Sequence, residues 1–246
     1  MLFAMKISFV LLSVVACGHV CCQQPAGISP RVNGDSAYVY QEPSPGGTGK
    51  FYFDREIAYV MDASGADWLE RPQRPRQENT DLIVENMHLQ PGDVVADVGA
   101  GTGYYTFRIA RLVPQGKVYA VEIQDELIRK LKKKTDDEKV SNVEVIRGDT
   151  LSVNLPDRSI DLAVMVDVYH ELSWPREILR SISKSLKPGG RLLLIEYRGE
   201  DPEVRIKRLH KTTVAQLQRE LSASGFALER RVDKFPIQHF LLFKKQ

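Results

Sequence analysis

The stretch "DVGAGTGYYTF", residues 97–107, places Gly99, Gly101 and Gly103 within five positions, directly after the apolar run "VVA". Glycine loses more conformational freedom on folding than any other residue, so this density needs a reason. The reason is in what flanks it. "DVVADV" (93–98) reads as a buried strand and "GYYTFRIARLV" (103–113) as an amphipathic helix. A glycine turn between strand and helix lets backbone approach a ligand beside the free N–H groups of the helix start. The spacing narrows the ligand. A dinucleotide fingerprint needs G-x-G-x-x-G, whereas Tyr104 holds the sixth position here. A phosphate loop needs G-K-[ST], which is absent. A turn without a ligand is the remaining alternative.

The alternation continues on both sides of the turn. Strands are predicted at 117–123 ("KVYAVEI"), 143–149 ("VEVIRGD"), 160–168 ("IDLAVMVDV") and 190–198 ("GRLLLIEYR"). Helices are predicted at "DELIRKLKKKTDD", at 175–186 and at 212–225, where Gly225 marks a stop. In the first of these, Leu127, Ile128 and Leu131 form the apolar face and the lysines a solvated one. "FALERRVDKF" and "QHFLLFKK" close the chain as an antiparallel pair at the far edge. The class is α/β: seven strands in a mostly parallel sheet, helices on both faces and an antiparallel C-terminal pair.

Ligands of such sheets bind at the carboxyl ends of the strands. Glu122 stands at the end of the second strand, where an acid can take both hydroxyls of a ribose; a solvated strand-end charge is the bland alternative. Asp149 and Thr150 end the third strand, where a carboxylate accepts from an adenine amino group or simply holds a turn. Asp97 either pairs with an ammonium or holds the loop through backbone N–H groups.

In this order the motifs resemble the class I S-adenosylmethionine-dependent methyltransferases over residues 80–246. "VVADVGAGTG" is similar to that superfamily's first motif, "VYAVEI" to the segment ending in the ribose acid, and "LKPGGRLLLIEY" to the turn and strand before the antiparallel pair. "DVYHEL", "IEYRGEDP" and "LHKTT" resemble a bacterial branch often predicted to be exported. The resemblance implies a Rossmann-like fold, with S-adenosylmethionine as cofactor. It implies that Gly99, Gly101 and Gly103 face the methionine moiety, Glu122 the ribose and Asp149 the adenine. Asp97 would support the methionine end. Ala100, Ile123, Thr150 and Asp167 complete the expected cofactor set.

The cofactor carries the difficult chemistry, because its sulfonium already activates the methyl group. The protein aligns an acceptor opposite the sulfur and, where the acceptor arrives protonated, supplies a base. "VDVYHELSWP" (166–175) follows an apolar strand and puts Tyr169, His170 and Glu171 at its carboxyl end. His170 is the candidate base, with Glu171 orienting it. A helix-start loop whose polar groups only cap backbone is the alternative. His210 and Lys211 either close over the substrate or form a solvated basic loop. Tyr52, with Trp68 and Tyr104, either walls a substrate pocket or packs in the core. Arg71, Arg74 and Arg76 either meet an anionic substrate or lie on a solvated turn. His239, between apolar residues of the last strand, reads as structural. No short histidine spacing unites His170, Glu171, His210 and His239, so no metal is expected.

Four segments follow. Residues 1–22 ("MLFAMKISFVLLSVVACGHVCC") have a positive start and a short apolar run, the form of an export leader. "VVAC" resembles a lipoprotein box that would lipidate Cys17 and anchor the chain to a membrane; processing near "VCCQQ", a buried N-terminal helix and a misassigned start are alternatives. Residues 23–50 read as a Pro/Gly/Ser-rich linker. Residues 51–89 read as a helical arm, with Ile57, Val60 and Met61 on one face and "RPQRPRQE" as a turn. Residues 90–246 read as the catalytic domain. All three cysteines lie in the leader, which excludes a catalytic thiol or cysteine zinc site in the domain. A formal charge of +2 over 246 residues gives no sign of a nucleic-acid partner. The expected function is methyl transfer to a small molecule. Methylation of a protein or other macromolecule, and a non-catalytic cofactor-binding sensor, are the rivals. Oligomeric state is left open.

Overall fold

The computed structural model describes residues 37–246. The expected leader with Cys17 and the first part of the expected linker lie outside the described residues. The described chain begins with an antiparallel sheet of three strands, β1 (Tyr38–Tyr40), β2 (Gly47–Tyr52) and β3 (Arg55–Ala58). This corrects two expectations. Part of the linker is strand, and the arm begins as sheet rather than helix. The helical spacing of Ile57, Val60 and Met61 is coincidental: Ile57 is buried in β3, whereas Val60 is exposed beyond it. The hairpin is hard to see because its two-residue turn is Phe53-Asp54, both with positive φ (47° and 67°). Such turns ordinarily announce themselves with Asn-Gly or Asp-Gly. Three short helices follow: α1 (Ala66–Leu69), α2 (Arg74–Glu78) and α3 (Thr80–Glu85). The segment read as a turn, "RPQRPRQE", therefore contains α2.

The main sheet then forms as the alternation predicts. β4 (Val94–Val98), α4 (Thr106–Leu112), β5 (Lys117–Glu122), α5 (Asp125–Asp137) and β6 (Val143–Arg147) come first. β7 (Ile160–Val166), α6 (Pro175–Ser185), β8 (Leu186–Arg198), the two-residue β9 (Lys211–Thr212) and α7 (Val214–Ser222) follow. β10 (Phe226–Val232) and β11 (Gln238–Lys245) finish the chain. The spatial order is β10-β11-β8-β7-β4-β5-β6, with β9 pairing β8 beside this path. β4 through β8 are parallel, and β11 runs antiparallel between β8 and β10. β10 alone occupies that edge.

Strand alternation feeds two cores, one on each face. Val95, Leu162, Val164, Leu193 and Ile195 point to one side, where Phe107 and Ile109 of α4 cover them. Ala96, Ala163, Met165, Leu192 and Leu194 point to the other, against Ile178, Leu179 and Ile182 of α6 and Leu217 and Leu221 of α7. On α5 the buried residues are Leu127, Ile128 and Leu131. Two covered faces and parallel strands require the active groups to emerge at the strand ends.

The small sheet is fastened to that end of the molecule. Tyr38, Tyr52 and Ile57 form a buried cluster with Trp174 packed on it. Arg55 of β3 makes a two-pronged ion pair with Glu220 of α7, at 2.7 and 2.8 Å. Tyr169 donates to the same carboxylate (2.8 Å), and Arg55 also donates to the His170 carbonyl (3.2 Å).

Candidate active site

The glycine turn is built by backbone necessity. Gly99, Gly101 and Gly103 all have positive φ (75°, 58° and 83°). A Cβ on Gly99 would lie 2.6 Å from the Val168 side chain, one on Gly101 2.8 Å from Leu69, and one on Gly103 2.5 Å from Phe107. L-residues with a side chain disfavour this backbone region, so glycine is required at each position. At the third glycine the neighbours are Phe107 of α4 and Leu131 of α5, so the missing side chain there lets the two helices pack closely.

A cavity of about 810 Å³ opens in front of the turn at the carboxyl ends of β4, β5 and β7. That volume suits a small-molecule or cofactor cleft, which typically spans about 300–1,000 Å³. Of the expected cofactor set, Gly99, Gly101, Glu122, Ile123, Asp149, Thr150 and Asp167 line it. Asp97, Ala100 and Gly103 are not among its lining residues. Asp97 is buried and accepts from the Thr106 hydroxyl at 2.6 Å, so it fastens the start of α4 behind the turn. Burial lifts its pKa to about 6, against the lowering effect of that hydrogen bond.

Glu122 does more than end a strand. Its Oε2 accepts from Gly101 N–H (2.9 Å), and its Oε1 from Ile123 and Gln124 N–H (2.7 and 3.0 Å). A carboxylate offers about four acceptor sites, so these bonds leave one for a ribose hydroxyl. The expected grip on both hydroxyls therefore requires Gly101 N–H to be released. Asp149 holds its own turn, accepting from Leu151 and Ser152 N–H at 2.7 and 2.8 Å, and these bonds lower its pKa. The residues present fit the nucleoside end of S-adenosylmethionine: Gly99 and Gly101 lie on the cavity wall with the carboxylates of Glu122 and Asp149.

The opposite end of the cavity is assembled from distant parts of the chain. Asp167 has φ 55°, and both its oxygens accept from the Gln238 amide. Burial, then the charges of Glu78 and Glu196, raise its pKa well above the usual carboxylate value. This sharp turn ends β7 and starts a 3-10 turn over Tyr169–Glu171. The turn divides its side chains. Tyr169 goes inward to Glu220 and is absent from the cavity wall, so it is a structural residue rather than a catalytic one. His170 and Glu171 line the cavity.

His170 is almost fully buried, and both ring nitrogens are engaged. Nδ1 lies 2.6 Å from Glu196 Oε2, and Nε2 lies 3.0 Å from His210 Nδ1. A carboxylate can only accept, so Nδ1–H donates to Glu196. Glu196 itself sits on β8 and accepts from Val168 and Tyr169 N–H. Burial would lower the His170 pKa, but the Glu196 charge, the hydrogen bond His170 donates to Glu196 and the nearby Glu171 carboxylate outweigh it and lift it to about 10. Glu171, burial notwithstanding, is held at about 2 by His170 and His210. An imidazole already protonated at neutral pH cannot accept a further proton. In this setting the charged form of His170 is favoured and the ring holds Glu196 and His210 in place; service as the expected base requires Nε2 to give up its proton first.

The remaining candidates separate cleanly. His210 lines the cavity, and its Nδ1 is 3.2 Å from Glu171 Oε1. Lys211 does not line it; its ammonium donates to the carbonyls of Asp201 and Val204. Tyr52 is buried in the small-sheet cluster, away from the cavity wall. Trp68 does line the cavity, and Tyr104 packs in the core. Arg74 is neither a solvated turn residue nor free: it is buried, paired with Glu78 at 2.9 Å, and lines the cavity. His239 is a structural residue bound to Glu200 at 2.8 Å. The residue that sequence reasoning missed is Glu196. Its only sign was a charge inside the apolar run "LLLIEY".

Comparison with known proteins agrees with this geometry. A methyltransferase-domain family model matches residues 89–234, more than half of the chain. The ubiquinone/menaquinone biosynthesis C-methyltransferase UbiE of Ectopseudomonas mendocina (strain ymp) is 31% identical over 118 residues, 47% of this chain and 46% of that protein. The chain spans about half the length of the curated relatives it matches. The crystal structure of a SAM-dependent methyltransferase from Aquifex aeolicus superposes with a TM-score of 0.68 and 26% identity, over 74% of this chain and 99% of that one. The [4+2]-cyclase SpnF shares the fold alone (TM-score 0.59, 20% identity, 78% and 86% coverage). With the motif order, the sheet order and the cavity at its switch point, these matches show that the chain belongs to the S-adenosylmethionine-dependent methyltransferases.

Proposed function

We propose that this protein transfers the methyl group of S-adenosylmethionine to a small-molecule acceptor held at the histidine end of the cavity. One observation carries the reading. A single cavity runs from Gly99, Gly101 and Glu122 to His170, Glu171 and His210, so cofactor and acceptor sites share one chamber. The UbiE relatives are C-methyltransferases of ubiquinone/menaquinone biosynthesis, which supports a small acceptor. The chain's own residues bind and orient. The glycine turn and Glu122 place the cofactor, and the buried cluster shapes the acceptor end and excludes water. Alignment of this kind is worth about 7–11 kcal/mol of barrier.

Calorimetry with S-adenosylmethionine and assay of S-adenosylhomocysteine release over phenols, thiols and amines test this. Glu122→Ala should weaken cofactor binding by about 100-fold, because it removes the ribose acceptor and strands three N–H groups. Undiminished binding by that variant would overturn the cofactor placement. Cofactor binding with no turnover on any acceptor would favour a sensor. The same proposal sets the domain behind an export leader; the intact mass of the mature N-terminus, with or without lipid on Cys17, tests that.

A further inference from the structure

We propose that His170 Nε2, His210 Nδ1 and Glu171 Oε1 form a site for one divalent transition-metal ion at the acceptor end of the cavity. Two histidines and a carboxylate are a ligand set used for zinc and for non-haem iron, with open positions left for substrate or water.

The distances fit. His170 Nε2 and His210 Nδ1 are 3.0 Å apart, His170 Nε2 and Glu171 Oε1 3.7 Å, and His210 Nδ1 and Glu171 Oε1 3.2 Å. Ligands bonded at about 2.0–2.1 Å lie about 3.0 Å apart at right angles and about 3.4 Å apart at the tetrahedral angle. Two of the three separations fall at these edges, and the third, His170 Nε2 to Glu171 Oε1, is about 0.3 Å longer than the tetrahedral edge, so a small turn of the Glu171 carboxylate completes the face.

A second, independent feature points the same way. Metal-binding histidines almost always donate their other ring N–H to a carboxylate or carbonyl, which fixes the tautomer and aims the free nitrogen. His170 does this through Glu196, a fully buried carboxylate held in place by two backbone N–H groups. Glu171 is likewise supported, its Oε2 accepting from Met61 N–H at 3.1 Å. Without an ion, a proton shared between His170 Nε2 and His210 Nδ1 bridges the gap; an ion takes its place. The charge also balances better. Glu171 and Glu196 are two carboxylates, which one divalent ion neutralises and one imidazolium does not.

The three ligands lie in the cavity wall, so an open coordination position is available to the acceptor. In this part the inference rests on the methyl-transfer reading: it selects acceptors with an ionisable hydroxyl or thiol, bound to the ion as the anion, their proton released to solvent. As the acceptor–methyl bond forms, the methyl–sulfur bond breaks and its electron pair returns to sulfur, leaving neutral S-adenosylhomocysteine.

Cobalt(II) titration of the full chain, followed by visible absorption and by calorimetry, tests the site without any turnover. One equivalent should bind with a ligand-field spectrum of low-symmetry nitrogen/oxygen coordination, and zinc should displace it. His210→Ala should abolish the saturable phase while the circular dichroism spectrum is retained. Glu196→Gln should weaken binding about 10–100-fold through loss of orientation. A chain with Cys17, Cys21 and Cys22 all changed to Ser should bind as before. No saturable binding, binding unaffected by His210→Ala, or binding lost with the cysteines would each overturn the metal site. Methyl transfer that persists after such a failure would leave the proposed function standing.

Discussion

The two ends of the cavity are made in opposite ways. The glycine end takes its turn from Gly99 to Gly103 and its acid from Glu122, joined by neighbouring strands β4 and β5. The histidine end takes His170 and Glu171 from the turn after β7, Glu196 from β8 and His210 from the segment before β9. It is then braced from outside by Arg55 of the small N-terminal sheet. The first end is local and rests on backbone geometry. The second is long-range and rests on buried charge. A ligand common to many proteins can be met by a short motif; the histidine end depends on what the rest of the chain brings to it.

Four perturbations probe that contrast, in descending order of expected effect. Glu220→Ala strikes the brace. It leaves the Arg55 guanidinium buried and unpaired, a loss of about 3–5 kcal/mol for a buried ion pair cut on one side. Chemical denaturation should show this, and a loss below about 1 kcal/mol would mean that the small sheet does not support the histidine end. Gly103→Ala strikes the turn, combining a left-handed backbone with a Cβ pressed on Phe107 and Leu131. We expect about 2–4 kcal/mol of destabilisation from strain and overpacking. A neutral outcome would show that the turn adapts.

The third perturbation is pH. Asp97 has a folded pKa raised to about 6, above its unfolded value near 4. The folded state then binds the proton more tightly, so its contribution is present below pH 4 and is lost as pH rises through about 6. The difference is on the order of 1–3 kcal/mol. Wild-type and Asp97→Asn chains, unfolded by denaturant at pH 4 and pH 7, should differ in slope by this amount; parallel curves would place Asp97 in a polar setting. Last, Tyr52→Phe should change stability by less than about 0.5 kcal/mol and leave turnover unchanged. Among the described residues its hydroxyl reaches only Ser224, at 3.5 Å, which is at the limit of a hydrogen bond. A large fall in turnover would restore Tyr52 as a substrate residue.

The legibility of the chain followed the range of the interactions. Strands β4 to β8 and their helices were readable because a sheet covered on both faces needs continuous apolar runs, and "VVADV", "VYAVE" and "LAVMV" supply them. The hairpin β2–β3 was not readable: Phe53-Asp54 is an uncommon turn pair, and strands of six and four residues carry little periodicity. Within the site, Glu122 was legible from its place after a strand. The role of Asp97 was not, since Thr106, its partner, looked like any first-turn residue of a helix.

By itself, the sequence determined the α/β alternation, the glycine turn and the acid that answers it, because each of these depends on backbone conformation within a few residues. Only the tertiary structure decided what His170 is. From the sequence it is a neutral base at a strand end. In the fold it lies between Glu196, 26 residues away, and His210, 40 residues away, and those neighbours make it a charged anchor. Protonation and metal affinity depend on electrostatic neighbours in space, and the crossing of β7 over to β8 and onward to β9 is what brings these neighbours together.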